Sequence, residues 1–202
     1  MKRDQLSKYN AVALNVSCPG LDVMYSWGGH HDGTFIACLL LSPFACMAVE
    51  ALIESHEDSK NTAHVKEALG EKQFERILGN YFLEEFTKAN LFRKVNYYSY
   101  EDNYKALIDE GYDSIIKLKI EELCLKRAGR TDKLNLHVSI VAKMVDIQNE
   151  QVIWSQHELI ISDEEHTFDE YKADGAKLLK ELVDKSLRKI GFRLAYNIMY
   201  TK

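Results

Sequence analysis

The stretch SIIKLKIEELCLKRAGRTDKLNLHVSIVAKMVDIQNEQVIWSQHELIIS, residues 114–162, decides the fold. Ile116, Leu118 and Ile120 alternate with Lys117, Lys119 and Glu121, the period of a strand with one wet face. "AGRTD" then makes a turn. In residues 133–147, Leu134, Leu136, Val138, Ile140, Ala142 and Met144 share one side of a second strand. Gln148, Asn149 and Glu150 turn the chain again, and residues 151–162 return as a third. Turns this short between consecutive strands imply an antiparallel meander.

The flanks supply the other elements. Residues 64–90 carry Leu69, Phe74, Ile77, Leu78, Tyr81, Phe82 and Phe86 at three- and four-residue steps, the clearest helix signal, with Asn90 as its stop. "YNAVALNVS" (9–17) reads as a first strand. "LFRKVNYYS" (91–99) reads as another, with Phe92 and Val95 turned inward. A short helix spans about 103–110 and ends at Gly111. A long helix closes the chain from about Thr167 to Tyr196, with Phe168, Tyr171, Leu178, Leu179, Leu182, Val183, Leu187, Ile190 and Leu194 on its apolar stripe. The order is β-α-β-α-β-β-β-α. We expect an α+β fold with a single mixed, largely antiparallel sheet and helices packed on it. Residues 1–202 form one domain, with an insertion at 20–63.

That insertion holds the least ordinary passage, "GGHHDGTFIACLLLSPFACMAVEALIE" (28–54). Seventeen residues between Asp32 and Glu50 carry no charge, too few for a membrane-spanning helix, and Ser42-Pro43 divides them. Ser42 reads as an N-cap and Pro43 as the first residue of an apolar helix reaching about Ser55. Three coverings for this helix stay open: its own core, a subunit or partner interface, and a lipid or membrane surface. "TFIACLLL" (34–41) before it reads as a short strand or extended arm; Phe35 in that arm and Phe44, Met47 and Leu52 in the helix are the insertion's candidate contact residues. Tyr97, Tyr98, Tyr100 and Tyr104, in "NYYSYEDNY", form a second candidate patch for a partner or ligand.

The chemistry is sparse. A net charge of −5 and the lack of any long Lys/Arg run argue against nucleic acid as a partner. The opening MKRDQLSKYN has no apolar core and is not a signal peptide. Cys18, Cys38, Cys46 and Cys124 form no CxxC and no zinc spacing, and most sit in apolar surroundings. His30, His31 and Asp32 are adjacent, so extended backbone turns them to opposite faces rather than onto one ion. His137 and His157 read as neighbours on a wet sheet face, and Glu121-Glu122 and Glu164-Glu165 as solvated carboxylates. No phosphate loop, nucleophile elbow, dinucleotide fingerprint or HExxH is present. We expect no catalytic residues, no metal and no cofactor.

"TKANLFRKV", "YDSIIKLKIEEL" and "AKMVDIQNEQVIWSQHELI", in this order between two helices, resemble a group of bacterial cell-envelope domains. The group includes the curli-secretion channel protein, lipoprotein activators of penicillin-binding proteins and the N-terminal domain of TolB. The resemblance covers about residues 64–200 and the first strand. It implies a non-catalytic, lipoprotein-like protein in the periplasm or at the outer membrane, with its leader lying outside this sequence. Such a protein acts through contact with an envelope partner or with itself. The alternatives are a cytoplasmic protein, and a small-ligand or lipid-binding module that uses the insertion and the tyrosines.

Changing Phe44, Met47 and Leu52 together to Ser separates the coverings. If the oily helix is an interface, light scattering after size exclusion shows an oligomer become a folded monomer; if it is core, a monomer unfolds.

Overall fold

Residue 6 and residues 8–18, 22–24, 73–98, 103–128 and 131–200 are described by the computed structural model of the chain. The oily helix expected at 43–55, Cys38, Cys46 and the histidines at 30, 31, 56 and 64 lie outside the described residues.

The alternating stretch forms the middle of the sheet. β4 (Ser114–Arg127) and β5 (Lys133–Asp146) are 14 residues each and pair antiparallel along their length. β6 (Gln151–Ile161) returns antiparallel on β5. On the other side of β4 lies β1 (Ala11–Ser17), parallel to β4 and to the outer strand β3 (Lys94–Tyr97). The order is β3-β1-β4-β5-β6, with short strands off this path. β2 (Asp22–Met24) runs parallel to β4 in the register already set by β1: Ser17 faces Lys119 and Asp22 faces Cys124. β7 (His166–Thr167) pairs with the start of β5. Neither β2 nor β7 was expected from the sequence.

Aspartate chemistry makes the last hairpin. Asp146 Oδ1 accepts the Gln148 and Asn149 amides at 3.0 and 3.2 Å, and Glu150 completes the turn at φ 56°. Tyr9 donates its hydroxyl to the other carboxylate oxygen at 3.1 Å, which ties the chain start to this turn.

Among the described residues, three helices cover the sheet. α1 (Gln73–Lys88) ends as expected near Asn90, which takes a left-handed φ of 51°. α2 (Tyr104–Asp109) is capped by Asn103, whose side chain accepts the Ala106 amide. α3 (Phe168–Tyr200) closes the chain. Val12, Leu14, Val16, Ile116, Leu118, Ile120 and the inward row of β5 meet Phe82, Phe86, Leu187, Ile190 and Leu194 in the main core. Phe82, Phe86 and Phe92 stack in series with centroids 5.1 and 4.9 Å apart. A smaller cluster lies on the opposite face, where Leu107 and Tyr112 cover Ala11, Ala13, Ile115 and Val145. β1 is buried on both faces, which explains its nearly unbroken apolar run.

The expectation of one continuous closing helix needs correction. Ala173 is extended and Asp174, Gly175 and Ala176 are left-handed, with φ of 51°, 65° and 60°. Both flanks of the break are held. Tyr171 is fully buried and donates its hydroxyl to the Leu134 carbonyl at 3.0 Å, while Leu179 lies in the main core. The left-handed backbone costs roughly 1–2 kcal/mol at Ala176.

α1 and α3 cross tightly at Gly191. A Cβ there would lie 3.1 Å from the Phe82 amide nitrogen and 3.2 Å from Tyr81 Cβ. Gly191→Ala must therefore move helix backbone, and we expect it to lose about 1–3 kcal/mol of stability, read as a lowered urea midpoint. An unchanged midpoint would show that the two helices slide apart freely.

Candidate interaction surface

The outer side of the α1–α3 pair carries a groove of about 410 Å³. Tyr81 and Phe192 form its aromatic lining. Glu84 and Glu85 of α1 form an acidic wall, and Lys185, Arg188, Lys189 and Arg193 of α3 form a basic one. Tyr81 donates its hydroxyl to both Asp184 carboxylate oxygens at 3.0 Å, and the Arg188 guanidinium lies 5.0 Å from its ring centre. Burial pushes the Tyr81 hydroxyl above its ordinary value, and the Asp184 carboxylate adds to this. Some of the rim charges are held in pairs: Lys88 lies 2.5 Å from Glu85, Lys185 3.0 Å from Glu164 and Arg193 3.6 Å from Glu158.

An aromatic ladder runs on from the groove. Phe192, Tyr196 and Tyr200 stand four residues apart on α3 and are 49%, 52% and 51% exposed. Neighbouring rings are 6.2 and 4.8 Å apart. The stripe continues Arg188 and winds about 40° with each step. These residues lie off the apolar stripe that the sequence analysis assigned to the core, so they were missed. Their spacing of four on an otherwise charged face was the available signal.

The other sheet face carries a row of polar side chains, and its geometry limits what chemistry is available. Ser139 and His157 Nε2 share a 2.7 Å hydrogen bond. Such a pair is two parts of a nucleophilic device; the third part, a group orienting the imidazole, is absent among the described residues. Cys124 is buried and donates its thiol to Glu122 at 3.0 Å, and Glu122 is ion-paired with Lys126. His137 is directly across from Cys124 on β5. The two histidines are not direct neighbours: His137 faces Ile161 and His157 faces Val141, with Ser139 between them along β5. No group of three His, Cys, Asp or Glu side chains suited to a metal occurs among the described residues.

The structure places the expected tyrosines in two environments. Tyr97 lies beside α1, its ring 2.6 Å from where a Cβ on Gly79 would stand, and burial pushes its hydroxyl up to about 12. Tyr98 and Tyr104 pack instead on the smaller cluster of the opposite face, where the Lys117 ammonium lies 5.1 Å from the Tyr104 ring centre. Adjacent strand residues point to opposite faces, so Tyr97 is separated from Tyr98. Phe35, Phe44, Met47, Leu52 and Tyr100 lie outside the described residues.

No protein-family model matches the sequence, and no curated protein matches it. Solved structures similar in fold include a DUF330-family protein of Xanthomonas campestris, with TM-score 0.49, 9% identity and coverage of 93% of this chain and 81% of that one. The PelC dodecamer of Paraburkholderia phytofirmans matches with TM-score 0.37, 12% identity and coverage of 90% and 87%. A lipoprotein of Neisseria meningitidis matches with TM-score 0.30, 17% identity and coverage of 89% and 97%. At such identities and scores none of them carries a function to this chain. Among the described residues no helix is long and apolar enough to cross a membrane.

The polar row has a pH signature. Burial holds the His137 imidazole below its ordinary value of 6.5, with Lys126 adding to the effect and Glu122 opposing it. The folded chain thus binds fewer protons than the unfolded chain just below pH 6.5, so this stability is full above that pH and is lost as pH falls. We expect the urea midpoint of His137→Gln to fall less than that of the parent between pH 7 and pH 5. Equal slopes would show that His137 is as easily protonated in the folded chain as in the unfolded one.

Proposed function

We propose that this protein is a non-catalytic cell-envelope protein that works by protein–protein contact, and that the outer α1–α3 face is its contact surface. The observation that carries this reading is the ladder of Phe192, Tyr196 and Tyr200, three half-exposed rings in one line beside a charged groove. Monomeric surfaces seldom leave aromatic side chains in such a row, and aromatic and arginine residues dominate binding energy where proteins meet. Burying the exposed half of each ring would contribute on the order of 1 kcal/mol before the costs of association. The envelope setting rests on the resemblance carried by the hairpin phrase, in which Asp146 holds the turn and Trp154 is buried in the core. Phe35, Phe44, Met47 and Leu52 extend the proposed surface on the strength of their sequence alone.

The surface is tested by placing a photo-crosslinking amino acid at Phe192, Tyr196 or Lys119 of the full chain in its native cells. Lys119 is exposed on the opposite sheet face and serves as the control. We expect discrete protein adducts from positions 192 and 196 and none from 119. Adducts from 119 alone would move the contact surface to the other face.

A further inference from the structure

Resting on that reading, we propose that the partner seated on the α1–α3 face is a second copy of this chain, related to the first by a twofold axis running along the groove. The argument is charge complementarity. The face is divided between the helices: Glu84 and Glu85 stand on the α1 side, where Lys88 pairs with both, and Lys185, Arg188 and Lys189 stand on the α3 side. Arg188 lies over the Tyr81 ring, and Phe192 follows it outward on the helix, between Arg188 and Lys189. A rotation of 180° about an axis along the groove brings two such faces together. It sets α1 of each copy against α3 of the other. Each pair of glutamates then meets a basic wall, twice over. A patch with this division is complementary to itself, which is what a closed twofold contact requires. It is a poor match for other surfaces. An anionic bilayer would attract Arg188 and Lys189 but repel Glu84 and Glu85, and a purely acidic or basic partner would meet like charge on one wall.

The groove also has the layout of a protein interface. It combines two aromatic rings, Tyr81 and Phe192, with two arginines and other charged residues. Arg188 is oriented by the Tyr81 ring at 5.0 Å, and Tyr81 in turn by Asp184, so the basic wall is ordered before any partner arrives. Pre-ordered side chains lose less entropy on binding.

Exchanging charges decides the matter. Sedimentation velocity on the full chain should show a dimer at micromolar concentration. Arg188→Glu with Lys189→Glu makes both walls acidic, and Glu84→Lys with Glu85→Lys makes both basic. Each variant should sediment as a folded monomer with an unchanged thermal midpoint. An equimolar mixture of the two should restore the dimer, in a one-to-one ratio. If the basic variant fails to fold, Phe192→Ser carries the same test, since it alters no charge and its ring is half-exposed, and it should also give a folded monomer. A parent chain that is monomeric throughout, or a dimer that survives the exchanges, overturns the inference. The outcomes separate it from the reading beneath it. A monomeric parent that still crosslinks to a different protein through position 192 leaves the contact surface standing and removes the second copy. A monomeric parent that binds phosphatidylglycerol vesicles, and loses them on Arg188→Glu with Lys189→Glu, overturns both.

Discussion

The pairing of β4 with β5 constrains everything else in the molecule. The two strands run together from Ser114 opposite Asp146 to Arg127 opposite Leu134. Their alternation sends Ile116, Leu118, Ile120, Leu136, Val138 and Ile140 to one side, where they form the floor on which α1 and α3 lie. β1 and β2 take their register from β4, and β6 and β7 take theirs from β5. A slip of one residue in this ladder would turn the floor to water and the lysines of β4 toward the helices. The one irregularity is a bulge between Ile120 and Glu122, after which Leu123 and Leu125 resume the inward row.

The two faces of the sheet consequently do different work. On the helix face large side chains interlock, and α1 and α3 cross so closely that a Cβ on Gly191 would press on the Phe82 amide at 3.1 Å. That closeness brings the acidic ridge of one helix beside the basic ridge of the other and creates the outer groove. The opposite face is covered at one end by α2, and further along it carries Ser139, His157, Cys124 and Glu122 in hydrogen bonds among themselves. Among the described residues these groups are bonded to one another. The contact surface proposed for the chain lies accordingly on the helix side, where the charged groove opens.

Much of this was legible in the residues, and the exceptions are instructive. β4, β5 and β6 could be read because one face is dry and the other wet, so polarity alternates with the pleat. α1 could be read from its phenylalanines. β2 and β7 are too short to show any period, and they exist because a neighbouring strand already supplies their register. The break in α3 was announced only by Gly175, because the apolar period carries on across it from Tyr171 to Leu179. The aromatic ladder was hidden by Leu187, Ile190 and Leu194, whose stronger stripe claims the core and leaves Phe192 and Tyr196 as apparent exceptions on a polar face. The tyrosines of residues 97–104 were grouped by closeness in sequence, where strand geometry divides them.

The left-handed trio at residues 174–176 gives the end of the chain two separate cooperative units. Upstream, β7 and the turn bearing Tyr171 hold to the sheet through the Leu134 carbonyl, two ladder pairs and the edge-on contact of the His166 and Tyr171 rings. Downstream, Leu179 to Met199 is fastened to α1 and the sheet by a continuous row of buried side chains. Helical hydrogen bonding does not propagate across left-handed backbone, so the first unit can open without unravelling the second. In the language of hydrogen exchange, this geometry makes residue 174 the expected boundary between two foldons, with amides of the β7 edge exchanging ahead of those in the helix that carries the basic wall.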